Sequence, residues 1–225
     1  KHLAFISERT EESQVWVMRT DGGEARQFSY EKESVSNFEW SPDGTQIAFL
    51  MKDSKTEEEE EQEKEKRDVI IVDENFKYSH IYVKQFATEV DTNGANRITE
   101  GSFSVNSFNW SPDSRRIVFA HSLEPTFNSR SISGDISVVS LSDKSMTILV
   151  EWPGVDADPV FSPDGKWVAF ASDGGKIERI GLADCFVVSS KGGKPKKLAE
   201  TPNRDVGIYG VPGVMRWSRG GKHVY

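Results

Sequence analysis

Apolar and polar residues alternate along this chain in short runs, and the runs recur in one arrangement. Phe38, Trp40, Ile47 and Phe49 flank the tetrapeptide Ser41-Pro-Asp-Gly44. Phe108, Trp110, Ile117 and Phe119 flank Ser111-Pro-Asp-Ser114. Phe161, Val168 and Phe170 flank Ser162-Pro-Asp-Gly165. A worn fourth copy, Met215-Arg-Trp-Ser-Arg-Gly-Gly221, leads into His223, Val224 and Tyr225. Residues two apart share one face of a strand, so each copy predicts a hairpin with an apolar face. The tetrapeptide supplies the turn. Serine bonds back to its own backbone, proline presets φ, aspartate tolerates the third position, and glycine takes positive φ after it. Ser114 stands where the other copies have glycine. Either it accepts a costlier φ or its turn differs. The fourth copy lacks Pro and Asp, so its turn is the least defined by sequence.

A second hairpin follows each of the first. Residues 15–18 and 25–29 flank Asp21-Gly-Gly23, and residues 81–84 and 96–99 flank Asn93-Gly94. Residues 136–139 and 146–150 flank Ser142-Asp143, and residues 186–188 and 195–198 flank Gly192-Gly193. Each unit therefore holds four antiparallel strands, which is the blade of a β-propeller. The fold class is all-β, with about four blades visible. Turn-to-turn spacing is 70 residues from Asp43 to Asp113 and 51 from Asp113 to Asp164. An uninterrupted blade takes about 40–45 residues, so insertions are required. They fall at 52–78, 122–133 and 176–184, and they are where ligand contacts are to be sought.

The repeat also gives a phase. Lys1-His2 and Lys222-His223 are equivalent points, four units apart. Residues 1–225 are therefore expected to be a portion of a longer propeller, cut within a blade at both ends, its parent having about seven blades. Open strand edges predict poor solubility for this portion alone.

Charge changes the picture in one place. Of the net charge of −8, residues 53–68 contribute −5, from nine acids and four bases. This run reads as a solvated loop or short exposed helix, and the apolar 69–73 behind it is expected to pack back on the blade. No basic stripe of the kind nucleic acid needs is present. No apolar run approaches 18 residues, so no membrane-spanning helix is expected. Cys185 is alone, so no intrachain disulfide forms. A reducing compartment fits that, which leans toward the cytoplasm and leaves the periplasm open. Assembly with further copies is left open too.

Catalytic motifs are missing. The chain has no Gly-x-Ser-x-Gly elbow, no phosphate-cradling loop and no His-Glu-x-x-His. Asp43, Asp113 and Asp164 recur after Ser-Pro in every full copy, which turn chemistry explains. His2 and His223 take the repeat position of Trp167 and are expected to pack. His80 begins a strand. His121 ends one beside an insertion and is the histidine to watch. Glu31 and Glu33, in the link 30–36, could meet a substrate amine, although a solvated surface accounts for them as well. No catalytic residue, metal ligand set or cofactor site is assigned, and substrate-binding residues stay unassigned.

The Ser-Pro-Asp-Gly hairpin followed by Ile47-Ala-Phe49 resembles the propeller repeat of TolB-type proteins and of prolyl oligopeptidase-class serine peptidases. The charged run, then Arg67-Asp-Val-Ile-Ile-Val-Asp73, then Ile81-Tyr-Val83, resembles the acylaminoacyl-peptidase or dipeptidyl-peptidase-like branch. So do Ser133-Gly-Asp-Ile-Ser-Val-Val139 and Asp158-Pro159 before the third turn. The resemblance implies an N-terminal propeller that narrows access to a C-terminal α/β-hydrolase domain, which lies outside this sequence. That domain would carry the Ser-Asp-His triad and cleave short or N-blocked peptides. The alternative is a TolB-like propeller that binds a protein partner and has no enzyme attached.

Overall fold

The computed structural model describes residues 1–65, 75–126, 133–176, 183–198 and 215–225. Fifteen strands and one short helix occupy them. Blade 1 holds β1 (His2–Ser7), β2 (Gln14–Arg19) and β3 (Arg26–Gln27). Blade 2 holds β4 (Val35–Trp40), β5 (Gln46–Lys52), β6 (Ser79–Gln85) and β7 (Asn96–Arg97). Blade 3 holds β8 (Ser104–Trp110), β9 (Arg116–Ser122), β10 (Ser133–Ser140) and β11 (Met146–Val150). Blade 4 holds β12 (Gly154–Phe161), β13 (Trp167–Ser172), β14 (Asp184–Ser189) and β15 (Lys196–Lys197). The β-propeller expectation holds, with antiparallel neighbours inside each blade. The outermost strands β3, β7 and β15 are two residues long, where four or five were expected.

All four turns form, including the doubtful ones. In the first, the Gly44 amide donates to the Ser41 carbonyl at 2.8 Å, and the Gln46 amide donates to Ser41 Oγ at 2.9 Å. The same pair of bonds recurs at Ser111 and Ser162. Ser114 does take positive φ, at 57°. Its hydroxyl accepts the Asp43 amide of the preceding blade at 3.2 Å, which helps offset the cost. In the fourth copy the Gly221 amide reaches the Ser218 carbonyl at 2.8 Å, and the His223 amide reaches Ser218 Oγ at 3.1 Å. The turn closes without Pro or Asp because serine and the last glycine make the bonds that close it.

The core lies between blades. Strand parity divides each second strand: Ile47 and Phe49 face blade 1, while Ala48 and Leu50 face blade 3. Phe108, Trp110, Ile117 and Phe119 pack back on blade 2. Phe161, Val168 and Phe170 pack back on blade 3. Ala171 and Cys185 meet Met215 and Val224 of the fourth hairpin. A strand buried on both faces must be apolar at nearly every position, as β5, β9 and β13 are. Each inner strand also carries a bulge, at Val35/Asn37, Val105/Ser107 and Ala157/Val160. Pro159 sits in the last of these, where no ladder bond is lost.

The charge run folds as α1 (Glu57–Lys64). Thr56 and Glu59 form a reciprocal cap: the Glu59 amide donates to Thr56 Oγ1 at 3.2 Å and the Thr56 amide to Glu59 Oε2 at 2.7 Å. Lys77 pairs with Glu59 and Lys32 with Glu60, which fastens the helix to its own blade and to the blade 1–blade 2 link. The apolar stretch 69–73 lies outside the described residues.

Candidate functional site

The repeated aspartates are turn residues. Asp43 Oδ1 accepts the Ser41 hydroxyl at 2.6 Å and the Thr45 amide at 3.0 Å. Asp164 does the same with Ser162 and the Lys166 amide. The serine bond first, then the amide, holds both carboxyls below the ordinary range. At Asp113 burial pushes upward, but the Ser111 hydroxyl and Arg115 amide outweigh it. Carboxylates locked into two local bonds each are poor acids or bases.

The inner strands are stitched across blades by a second repeated device. Trp110 Nε1 donates to the Glu39 carbonyl at 3.3 Å, and Trp217 Nε1 donates to the Val160 carbonyl at 3.1 Å. Asn109 links three blades: its Nδ2 donates to Glu39 Oε1 at 3.3 Å, and its Oδ1 accepts the Phe161 amide at 3.1 Å. Burial raises the Glu39 carboxyl, with Asn109 acting against the rise. At the turn end, a cleft of about 650 Å3 lies between blades 2 and 3, lined by Gln46, Gln85, Arg115, Arg116 and Ser142. Arg116 is held over the Phe161 ring at 5.3 Å.

The opposite end of each blade gathers the titratable groups. Strand register places the starts of the inner strands beside the exits to the insertions, with Ser104 opposite Ser122 and Asp156 opposite Ser172. His121 and His80 lie there, both buried, with ring centroids 4.9 and 5.4 Å from that of Phe103. His121 Nε2 meets Ser137 Oγ at 2.9 Å, and burial drives its pKa down to about 4. His80 Nδ1 meets Thr99 Oγ1 at 3.2 Å; burial first, then Arg97, drives it down to about 4 as well. Arg97 pairs with Asp53 at 2.9 Å. Both imidazoles are buried against one phenylalanine, so the histidine singled out by sequence is not open to solvent. His2 and His223 stay at the surface, their ring centroids 4.8 Å from Phe86 and 6.4 Å from Tyr225. Glu31 is occupied: its Oε1 accepts the Ala95 amide at 2.9 Å.

Sequence reasoning did not find the acids of this end. Asp135 and Asp173 both act on the Asp156 carboxyl where blades 3 and 4 meet. Burial, then Glu151, raises Asp135 to about 6. Burial leads the rise of Asp156 to about 7, with Asp135 and Asp173 adding to it against Ser172. A position-by-position overlay of the repeats carries the signal, because Asp156 replaces Val35 and Val105. Among the described residues no group of three or more His, Cys, Asp or Glu could hold a metal ion. No helix there is long and apolar enough to cross a membrane.

No family model matches the chain. Dipeptidyl-peptidase 5 of Porphyromonas gingivalis is 28% identical over 252 residues, spanning 100% of this chain and 35% of that protein. The uncharacterized peptidase YuxL of Bacillus subtilis is 26% identical over 172 residues, spanning 76% of this chain and 20% of that one. The chain thus covers about a third or less of the curated relatives it matches. Among solved structures, TolB from Acinetobacter baumannii superposes with a TM-score of 0.62 at 18% identity, covering 99% of this chain and 46% of that one. A puromycin-hydrolyzing peptidase from Mycobacterium tuberculosis gives 0.62 at 11% identity, covering 89% and 30%. The structural likenesses fix the fold. The propeller repeat is the one found in TolB and in peptidases, as the hairpin motif implies.

Proposed function

We propose that this chain is the propeller portion of a serine peptidase and narrows access to its active site. The parent adds a C-terminal α/β-hydrolase domain and acts on short or N-blocked peptides. The observation that carries this is the match to dipeptidyl-peptidase 5, which runs the whole length of this chain yet only 35% of that protein. A rigid stack of blades with its insertions leaving from one end supplies shape and loops without chemistry of its own. That agrees with an all-β frame whose recurrent aspartates are spent on turns. The TolB-like alternative, a propeller that binds a protein partner, draws on the superposition with TolB.

The test compares residues 1–225 with the full-length parent on chromogenic peptides of increasing length and on a folded protein substrate. The parent is expected to cleave the short peptides and spare the folded protein, and residues 1–225 to be inert. Hydrolysis by residues 1–225 alone would overturn the reading. A parent that has no hydrolase domain would favour the TolB-like alternative.

A further inference from the structure

The junction of blades 3 and 4 departs from the repeat at one buried position. Six residues before the turn serine stand Val35 in blade 2 and Val105 in blade 3, both inside the layers between blades. In blade 4 the position holds Asp156, 2% exposed. Among the described residues neither of its carboxylate oxygens has a hydrogen-bond partner. The Ser172 hydroxyl and Trp152 amide are near enough to favour its charge but close no bond of normal geometry.

Its surroundings are acidic. β10 and β12 pair in parallel, Ser133 with Gly154 and Gly134 with Val155. The next residue of each strand is an aspartate, Asp135 and Asp156. Aligned positions of neighbouring strands send side chains to the same side. The approach is close: a Cβ on Gly134 would lie 3.0 Å from the Asp156 carbonyl oxygen. Asp173 accepts the amides of Val155, Gly175 and Lys176 at 3.2 to 3.3 Å. Gly154 makes room for it, since a Cβ there would fall 2.4 Å from both Asp173 oxygens. Glu151, on the link from β11, adds negative charge beside Asp135. His121, across from Asp135 on β9, is neutral and turned to Ser137. Among the described residues no lysine or arginine forms an ion pair with Asp135 or Asp156.

We propose that Asp156 is a proton-operated latch between blades 3 and 4: it keeps its proton while the β10–β12 ladder is closed, and losing that proton loosens the ladder. A carboxylate shut away from water with no hydrogen-bond partner among the described residues, and with acids on the neighbouring strands, ionises only against a desolvation cost and like-charge repulsion. When the proton leaves to solvent, a buried charge remains with the acids Asp135 and Asp173 acting on it. Separation of the strands at Ser133–Gly154 and Gly134–Val155 relieves it by admitting water. The folded state binds this proton more tightly than the unfolded chain does. Its contribution is therefore full in acid and is lost as pH rises from about 4 through about 7. The latch lies where the stretches 122–133 and 176–184 leave the blades, so loosening it frees the start of the inner strand β12.

The experiment uses the full chain and two variants. Asp156→Asn keeps the size and cannot ionise. Asp156→Val restores the residue of blades 2 and 3. Melting temperatures are read from pH 5 to pH 8, and amide exchange at 133–135 and 154–156 is corrected for intrinsic rates. The wild-type melting temperature is expected to fall relative to both variants by roughly 4–8 °C over this range. Its exchange at the two segments should rise about tenfold from pH 6 to pH 8, with no such rise in Asp156→Asn. Titration of His80 and His121 is common to all three chains and cancels in the differences. Parallel melting curves, or exchange that ignores pH, would overturn the latch. If Asp156→Val does not fold, wild type against Asp156→Asn still decides.

Discussion

Leu3 and Ile47 hold the same place in the repeat and live in opposite surroundings. Ile47 is fully buried against blade 1, as Ile117 is against blade 2 and Val168 against blade 3. Leu3 is 54% exposed, because among the described residues no blade packs on its face. The hairpin forms regardless: β1 pairs with β2 over six residue pairs in regular antiparallel register. Pairing of β1 with β2 therefore does not require a blade on the Leu3 face, whereas burial of Leu3 does. Blade 1 shields its open face by other means. The Arg9 guanidinium lies over the rings of Phe5 and Trp16 at 5.8 and 5.2 Å. That covers aromatic surface with a group that stays in water.

The sharpest way to break this comparison is to truncate the two faces. Phe119→Ala in the layer between blades 2 and 3 should cost about 3–5 kcal/mol, and Ile47→Ala about 2–5 kcal/mol. Leu3→Ala should stay within about 0.5 kcal/mol. Urea denaturation of the three variants measures all of it. A large cost for Leu3→Ala would mean that something covers the blade 1 face.

A smaller effect tests whether the His80–Phe103–His121 layer is core. Both imidazoles are neutral when folded and accept protons once unfolded. Their folded pKa values are depressed, so the stability they contribute is present above about pH 6.5 and is lost as pH falls toward about 4. The loss should reach about 1–3 kcal/mol per histidine. His121→Asn should flatten this acid limb in melting curves between pH 4 and 6.5. An unchanged limb would show that the histidines are charged in the fold.

The smallest effect separates the full turns from the worn one. Asp164→Ala removes two local bonds and should cost about 1 kcal/mol. Gly220 occupies the aspartate position of the fourth turn with nothing within 4 Å of its would-be Cβ. Gly220→Asp should therefore stabilise that hairpin by about 0.5 kcal/mol. Melting temperatures of the pair check both. A destabilised Gly220→Asp would mean that the fourth turn differs from the others beyond its missing side chains.

The hairpins, the four-stranded unit and the structural role of Asp43, Asp113 and Asp164 were legible because each rests on contacts within a few residues. Strand lengths were less so. The runs 25–29, 96–99 and 195–198 shrink to two paired residues each, whereas β11 in the same outermost place keeps its five, so being outermost does not by itself set the length. The charge run left loop and helix open, and the Thr56–Glu59 cap chose helix. The acids at the blade 3–blade 4 junction escaped notice, because Asp156 in Val-Asp-Ala-Asp-Pro reads as surface until the three inner strands are overlaid.

The sequence by itself determined the repeat: serine, proline, aspartate and glycine set each turn, and period-two alternation sets the strands on either side. Tertiary structure decided what each repeat position is worth. Leu3 and Ile47, or Val105 and Asp156, are equivalent along the chain, yet one member of each pair is satisfied by its surroundings and the other is not. The reason is range. Turn bonds close within five residues, while burial and the cost of a charge are set by whichever blade packs across the gap.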